Sequence, residues 1–231
     1  MPPHLRTPHR HNPNRKDTRM QIVVIGAAGR TGAHIVEQAA QAQHQVTALV
    51  RDTTRYQPPT AGVDVHRADV LEPASLKGLL DGADAVIVAV GPHNGKKPAE
   101  VYSRGLTTVT AEMRRTEVQR LVTISAVPAS LPDEKNLFER YLLHPILWRF
   151  FGPSYTDLRV MEKTLRDTTD LAWTIIRPPL LTDDPPTGTF RTAIDSHLKG
   201  AKKISRADLA TAMLAAAGDD ALAGHVMTVS S

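Results

Sequence analysis

Residues 21–51 read QIVVIGAAGRTGAHIVEQAAQAQHQVTALVR, and the pattern of these residues indicates the fold class. It opens with the β-branched run QIVVI and continues through TGAHIVEQAAQAQ, in which apolar residues have helical spacing. It ends in QVTALVR, a second apolar run of the β type. The order of strand, helix and strand predicts a βαβ unit, which joins two parallel strands.

The alternation continues beyond this unit. VDVHRADV, ADAVIVAVG and QRLVTISAV are predicted strands, and helices are predicted over PASLKGLLDG and over about residues 99–116. AVIVAV is apolar on both faces, as expected for a strand covered by helices on both sides. Repeated βαβ units with right-handed crossovers predict an α/β fold, a Rossmann-type doubly wound parallel sheet, in a single domain over residues 20–231.

The connection after the first predicted strand is a glycine-rich turn, GAAGRTG, with Gly26, Gly29 and Gly32 three residues apart. A strand that turns into a helix beneath a pyrophosphate needs glycines for the tight turn, for close backbone approach and for helix packing. The helix N–H groups then face the phosphates. Three glycines alone would also fit a simple tight turn. Between a strand and an amphipathic helix they predict a dinucleotide site, which includes Arg30 and Thr31.

The end of the second predicted strand indicates which dinucleotide is bound. NAD binders usually place an acid there, on the ribose hydroxyls, whereas this chain has Arg51, then Asp52, and Arg55 further on. The planar guanidinium suits a 2′-phosphate, so the sequence predicts NADP(H), with Arg30 adding charge near the same phosphates. The alternative is that Asp52 is the usual acid displaced by one residue and that the arginines are solvated.

Later strand ends supply further predicted cofactor contacts. RADV offers Asp69 and Val70 to the adenine edge, and VGPHNG places Gly91 and His93 beside the cofactor path. A lone histidine in a loop is more often a bystander than a ligand or base, so His93 is predicted only as a contact. Pro178, in the RPPLL segment at a strand end, is also a predicted cofactor contact.

These segments resemble a known family. IVVIGAAGRTG, VTALVRD, ADAVIVAVG, TISAV, RPPLLTDDPPTG and ISRADLA occur in the order typical of the atypical short-chain dehydrogenases, also called NmrA-like NAD(P)-binding proteins. Within that group the chain looks most like the biliverdin-IXβ reductase and flavin reductase branch, from about residue 21 to the C-terminus. The resemblance implies a Rossmann-type sheet, NADPH as hydride donor, and a substrate over the nicotinamide near Ser125, the serine that the family keeps there.

SYTDLRVMEK, residues 154–163, departs from the usual short-chain dehydrogenase pattern. A Tyr followed four residues later by a Lys would be the acid catalyst, but Tyr155 is followed by Arg159. The resemblance implies that members of the branch lack the pair and deliver hydride to a conjugated planar substrate. Ser125 and Tyr155 are the predicted catalytic residues. The alternatives are a capped strand end at Ser125 and a packing tyrosine at a helix start.

The segment 131–155 is rich in aromatic residues, holding six of the ten in the chain. One interpretation is an apolar lid or wall over a small-molecule substrate, with Phe151 in contact with that substrate. The alternative is a helical flap or an oligomer interface, so a homo-oligomer is possible. Leu180 stands where the reductase branch can carry a histidine, and this predicts an apolar substrate in a donor-poor pocket. Ser205 followed by Asp208 resembles a capping box at the start of a scaffold helix.

Charge and composition exclude several classes of function. Residues 1–19 hold five basic residues and one acid, which accounts for the net charge of +4, and this basic tail is predicted to be disordered. The remainder has 23 basic and 23 acidic residues, so nucleic-acid binding is not expected. No apolar run approaches the ~20 residues of a membrane span, and we expect a cytoplasmic protein without a membrane partner. The lack of cysteine excludes disulfides and thiolate chemistry.

Two functions therefore remain. The first is an NADPH-dependent reductase of a flavin, quinone or similar conjugated substrate. The second is a non-catalytic NADP(H)-binding redox sensor of the NmrA-like type, which acts through a protein partner. No cluster of His and carboxylate residues has metal-binding spacing, so no metal is predicted.

Overall fold

The fold is seen in a computed structural model, which describes residues 19–91, 100–129 and 144–231, with backbone only for 144–151. The sequence-predicted βαβ unit is present as β1 (Gln21–Ile25), α1 (Arg30–Gln41) and β2 (Gln45–Val50). The other described strands are β3 (Val63–Arg67), β4 (Ala85–Val88), β5 (Arg120–Ile124), β6 (Ala172–Arg177), β7 (Leu180–Thr182), β8 (Arg191–Ile194), β9 (Lys203–Ser205) and β10 (His225–Ser230). The other described α-helices are α2 (Ser103–Arg115), α3 (His144–Arg166) and α4 (Arg206–Ala217).

The described strands form an eight-stranded sheet in the order β3-β2-β1-β4-β5-β6-β10-β8, and β7 and β9 form a separate parallel pair. All neighbours in the large sheet are parallel except β8, which runs antiparallel to β10. The order 3-2-1-4-5-6 is that of the doubly wound dinucleotide-binding fold. The prediction of a Rossmann-type α/β fold is therefore confirmed. The strand order reverses between β1 and β4, where such folds bind ligands beyond the carboxyl ends of the strands.

The helices cover both faces of the sheet and make two core layers. On one face, Ile35 of α1 and Met213 of α4 pack against the inward side chains of the central strands. On the other face, Met113 of α2 and Met161 of α3 do the same. All four side chains are buried. Burial on both sides explains why the central strands are apolar without alternation.

Some sequence predictions need correction or lie outside the described residues. The helix expected over PASLKGLLDG is only a short 3-10 helix, Pro73–Leu76, because Gly78 has a φ of +79° and cannot continue it. The predicted helix over residues 99–116 begins at Ser103. Residues 1–18 of the basic tail, residues 131–143 of the aromatic segment and His93 lie outside the described residues.

Candidate functional site

The glycine turn between β1 and α1 is too crowded for side chains at two positions. Gly26 has a φ of +87°, and a Cβ there would lie 2.7 Å from the carbonyl oxygen of Ala89, just beyond β4. A Cβ on Gly32 would lie 2.2 Å from the carbonyl oxygen of Gly26. The turn thus lies directly against the end of β4, and α1 packs directly on the turn. The sequence anticipated these roles from spacing alone.

The N-terminus of α1 has the properties of an anion site. Its cap residue is Gly29, which has no side chain to accept from the first-turn N–H groups. Those N–H groups have no partner within a helix, and the helix dipole places partial positive charge on them. Thr31 is buried in this first turn. The bare turn and the uncapped helix fit the pyrophosphate of a dinucleotide, at the point where the strand order reverses.

Arg30 extends from this turn to a carboxylate that the sequence analysis did not single out. Its guanidinium lies 2.7 Å from the Oδ2 atom of Asp183, which follows β7. The other oxygen of Asp183 lies 2.6 Å from the guanidinium of Arg206, at the start of α4. The positive charge of Arg30, which was expected near the phosphates, is therefore paired with the carboxylate of Asp183. Only the fold brings these three residues together.

Arg51 and Arg55 lie at and beyond the carboxyl end of β2, as expected for residues near the ribose. Arg55 is largely exposed, with its Nε atom 3.8 Å from Asp52. Asp52 accepts from the hydroxyl of Thr54 at 2.6 Å and from the Thr54 amide at 3.0 Å. These bonds from Thr54 and the neighbouring charge of Arg55 hold the pKa of Asp52 below its ordinary value. The carboxylate of Asp52 is thus engaged in its own turn.

Asp69 and Val70 follow β3, at the same edge of the sheet. The carboxylate of Asp69 accepts from the Leu71 amide at 2.9 Å. The side chain of Val70 is buried and packs so closely on α2 that a Cβ on Gly105 would lie 2.8 Å from it. A cofactor contact at Val70 would therefore come from its backbone.

Ser125 immediately follows β5 and is buried, with 4% of its surface exposed. Its amide donates to the carbonyl oxygen of Ile176 at 2.8 Å. Its hydroxyl, however, has no hydrogen-bond partner among the described residues. A buried hydroxyl without a partner costs about 1–3 kcal/mol unless a bound molecule supplies the missing hydrogen bond. This atom also fits a cofactor or substrate at the strand end.

Pro178, the neighbour of Ser125 across the strand ends, accepts through its carbonyl oxygen from the Val127 amide at 3.0 Å. This bond holds the loop after β5 against the end of β6. Gly91 follows β4 and is exposed. Gly91, Ser125 and Pro178 thus lie beyond three adjacent parallel strands, as predicted.

Tyr155 lies in the middle of α3 and packs against the core layer of that face. Burial raises the pKa of its phenol. Arg159, one turn further on, donates from Nε to the carbonyl oxygen of Ala129 at 2.9 Å. Lys163 is exposed and lies 2.5 Å from Asp167. The lysine thus lies on the solvent side, and Arg159 anchors the loop after β5 to α3.

Tyr102 is a residue near this site that the sequence analysis missed. It is the N-cap residue of α2, and its hydroxyl would lie 3.7 Å from a Cβ on Gly91. The amides of Tyr102 and Ser103 donate to the carboxylate of Asp157 at 2.9 and 3.2 Å, and the Ser103 hydroxyl donates to it as well. The feature of the sequence that could have identified Tyr102 is that it and Asp157 are polar residues close along the chain to predicted site residues.

The predicted substrate contacts are only partly visible. Leu180 is 67% exposed at the start of β7, so it offers an apolar surface beside the strand ends. The side chain of Phe151 lies outside the described residues. A cavity of about 310 Å³ runs from Val127 to the segment after β8, and its lining includes Arg166, Arg177 and His197. Leu180 does not line this cavity, so the donor-poor pocket predicted around Leu180 stays a prediction.

Ser205 and Asp208 form only one half of a capping box. The hydroxyl of Ser205 accepts from the Asp208 amide at 3.0 Å. The carboxylate of Asp208 accepts from the Ser205 hydroxyl at 2.9 Å and from the amides of Thr187 and Gly188. The pair therefore holds the 187–188 turn against α4, which agrees with a scaffold role.

Across residues 19–91, 100–129 and 144–231, no three His, Asp or Glu side chains cluster as metal ligands would. In the described part of the chain no helix has the length and apolarity of a membrane span.

Known proteins are similar over most of the chain. The uncharacterized protein YwnB of Bacillus subtilis is 28% identical over 201 residues, which cover 84% of this chain and 91% of YwnB. A short-chain dehydrogenase/reductase of Veillonella parvula, solved in complex with NADP, has a TM-score of 0.77 and 18% identity, covering 93% of this chain and 95% of that one. A candidate NADH-flavin reductase of Streptococcus pneumoniae has a TM-score of 0.73 and 21% identity, covering 91% and 98%.

A family model, described as NAD(P)H-binding, matches residues 26–220. The match begins in the glycine turn and includes the ends of β2, β4, β5 and β6, so it spans the site described above. It also covers well over half of the chain. The chain therefore belongs to the NAD(P)H-binding family.

Proposed function

We propose that this protein is an NADPH-dependent reductase that transfers hydride to a conjugated acceptor such as a flavin or quinone. The observation that carries the proposal is the buried Ser125 hydroxyl, which has no partner in the described residues and lies beyond β5. A hydroxyl at this place is suited to hold a substrate or the nicotinamide. The resemblance to the biliverdin-IXβ reductase and flavin reductase branch also supports a reductase function.

The residues divide into binding and orienting groups. The glycine turn and the N-terminus of α1 would bind the pyrophosphate, and Asp69 and Val70 would meet the adenine. Bound NADPH would supply a hydride to the acceptor. Ser125 would orient the acceptor or the nicotinamide, and Tyr155 would shield the pocket, its raised pKa keeping the phenol neutral. A conjugated acceptor needs no strong acid at the site, because no localised alkoxide develops.

NADP(H) is preferred over NAD(H) for two reasons. Arg51 directly follows β2, and its planar donor fork suits a 2′-phosphate. Asp52, the competing acid, already accepts two hydrogen bonds from Thr54. The structural neighbour that was solved with NADP has the same fold and is consistent with this choice.

The direct test is NADPH oxidation by the purified protein with FMN, riboflavin and a panel of quinones. We expect saturable turnover above a control without enzyme. Tight NADPH binding with no turnover on any acceptor would contradict the reductase and favour the sensor.

The cofactor preference is tested with Arg51→Ala. Loss of a charge-assisted contact to the 2′-phosphate should reduce the preference for NADPH over NADH about tenfold or more in a binding titration. Arg114→Ala is the matched control, because Arg114 pairs with Asp170 near the C-terminal end of α2. An unchanged preference in Arg51→Ala would assign the 2′-phosphate to another residue.

A further inference from the structure

Tyr102 lies where the proposed reductase would hold its acceptor. It is the residue just before α2, and its hydroxyl comes close to Gly91, three residues past the end of β4. Gly91 was predicted beside the cofactor path, and Ser125 follows the adjacent strand. The Tyr102 phenol thus shares the carboxyl edge of β4 and β5 with the unpartnered hydroxyl of Ser125.

The backbone of Tyr102 is held in place by a bridge between two helices. Asp157 of α3 is 7% exposed, and its carboxylate accepts from the amides of Tyr102 and Ser103. Asp157 lies two residues after Tyr155, so one helix positions both tyrosines. A residue whose backbone is fixed in this way loses less freedom when it binds a ligand.

The phenol of Tyr102 is kept protonated. Burial first, and then the nearby Asp157 and Tyr155, raise its pKa to about 12. Tyr102 is therefore a hydrogen-bond donor over the whole working range of pH, and not a base.

We propose that Tyr102 is a substrate-binding residue, whose phenol donates a hydrogen bond to a carbonyl oxygen of a conjugated acceptor held between Tyr102 and Ser125. This inference rests on the proposed reductase function and names its substrate class more closely, as a planar compound with ring carbonyls. Quinones and the flavin ring both have such oxygens. Two neutral donors suit an uncharged carbonyl group. A carboxylate or a phosphate would bind better to cationic side chains.

The reaction balances without a proton from Tyr102. A quinone gains a hydride from NADPH and one proton from water, which makes the hydroquinone and leaves NADP⁺. The phenol keeps its proton and only polarises the carbonyl that accepts charge. A single donor of this kind contributes through binding and orientation, so its removal should weaken catalysis without abolishing it.

The test uses the full-length protein with saturating NADP⁺, which binds but does not react, and with menadione or FMN as the probe. Tyr102→Phe removes only the hydroxyl, and we expect the dissociation constant of the probe to rise about five- to tenfold, the worth of one hydrogen bond. The control is Tyr56→Phe, because the Tyr56 hydroxyl is also buried without a partner among the described residues but packs against the other core layer. It should change probe affinity less than about twofold.

A second readout does not depend on turnover. Protein labelled with 3-fluorotyrosine gives one ¹⁹F resonance for each of the four tyrosines, and each is assigned by its Tyr→Phe variant. Addition of the probe to the NADP⁺ complex should shift the Tyr102 resonance and leave that of Tyr56 in place.

The outcomes separate the two proposals. If the wild type reduces a quinone or flavin while Tyr102→Phe keeps its probe affinity and the Tyr102 resonance does not move, the inference fails and the reductase stands. If the wild type neither binds nor reduces any acceptor in the panel, the reductase fails and this inference fails with it.

Discussion

At the residue scale, two serines with the same burial are expected to respond oppositely to loss of the hydroxyl. Ser125 and Ser205 are both 4% exposed, but only the Ser205 hydroxyl has a described partner, Asp208. Ser125→Ala should raise the free energy of unfolding by up to about 1 kcal/mol, because it removes an unsatisfied polar group. It should also lower quinone turnover about tenfold or more. Ser205→Ala should lower the free energy of unfolding by about 1 kcal/mol through loss of the helix cap.

Urea unfolding and steady-state kinetics on the two variants decide this prediction. A stabilised, less active Ser125→Ala protein would be the signature of a residue retained for function at a cost in stability. If Ser125→Ala is instead destabilised and fully active, the hydroxyl has only a structural role at the strand end.

At the scale of elements, Asp157 joins the N-terminus of α2 to the middle of α3. Its buried carboxylate accepts from two amides and one hydroxyl of α2. Asp157→Ala should lower the free energy of unfolding by about 2–3 kcal/mol, because it leaves those donors without their partner. Asp84→Ala removes one exposed carboxylate that accepts from the Gln21 amide, and it should cost about 1 kcal/mol or less.

Both effects are measured by urea unfolding. Hydrogen exchange should also show faster exchange in the first turn of α2 in Asp157→Ala, and not in Asp84→Ala. Equal losses of stability in the two variants would mean that the bridge between α2 and α3 contributes no more than a surface cap.

At the scale of the whole molecule, Arg120 joins the amino edge of the sheet to α4. It is 6% exposed and donates to the Ala172 carbonyl, to the Thr174 hydroxyl at 2.7 Å, and to the Ala216 carbonyl at the end of α4. Arg120→Met fills part of the space but leaves these acceptors unpaired, and we expect about 3 kcal/mol or more of lost stability in thermal or urea unfolding.

The Arg120 prediction has Arg114→Ala as its control, because the ion pair of Arg114 with Asp170 is half exposed on both sides. Exposed pairs contribute little, so the unfolding midpoint of that variant should stay close to that of the wild type. A wild-type midpoint in Arg120→Met would show that α4 is held to the sheet by apolar packing alone.

Much of the fold was predictable because it is encoded over short distances. The βαβ unit and the glycine turn follow from apolar periodicity and from glycine spacing within residues 21–51, and both are confirmed. The helix over PASLKGLLDG was wrong for a local reason as well. The glycine at position 78 takes up a positive φ and stops the chain after one 3-10 turn, which periodicity alone does not register.

The candidate site was only partly predictable, because half of it depends on distant residues. The strand ends, the glycine turn before a helix and the positions of Ser125 and Arg51 at strand ends could be predicted from the sequence, since these follow from local order along the chain. Only the tertiary structure decided that Arg30 meets Asp183, which is 153 residues away, and that Asp157 holds Tyr102 across 55 residues. Such pairs form when helices and loops pack on the sheet, and no local pattern specifies which side chains that packing brings together.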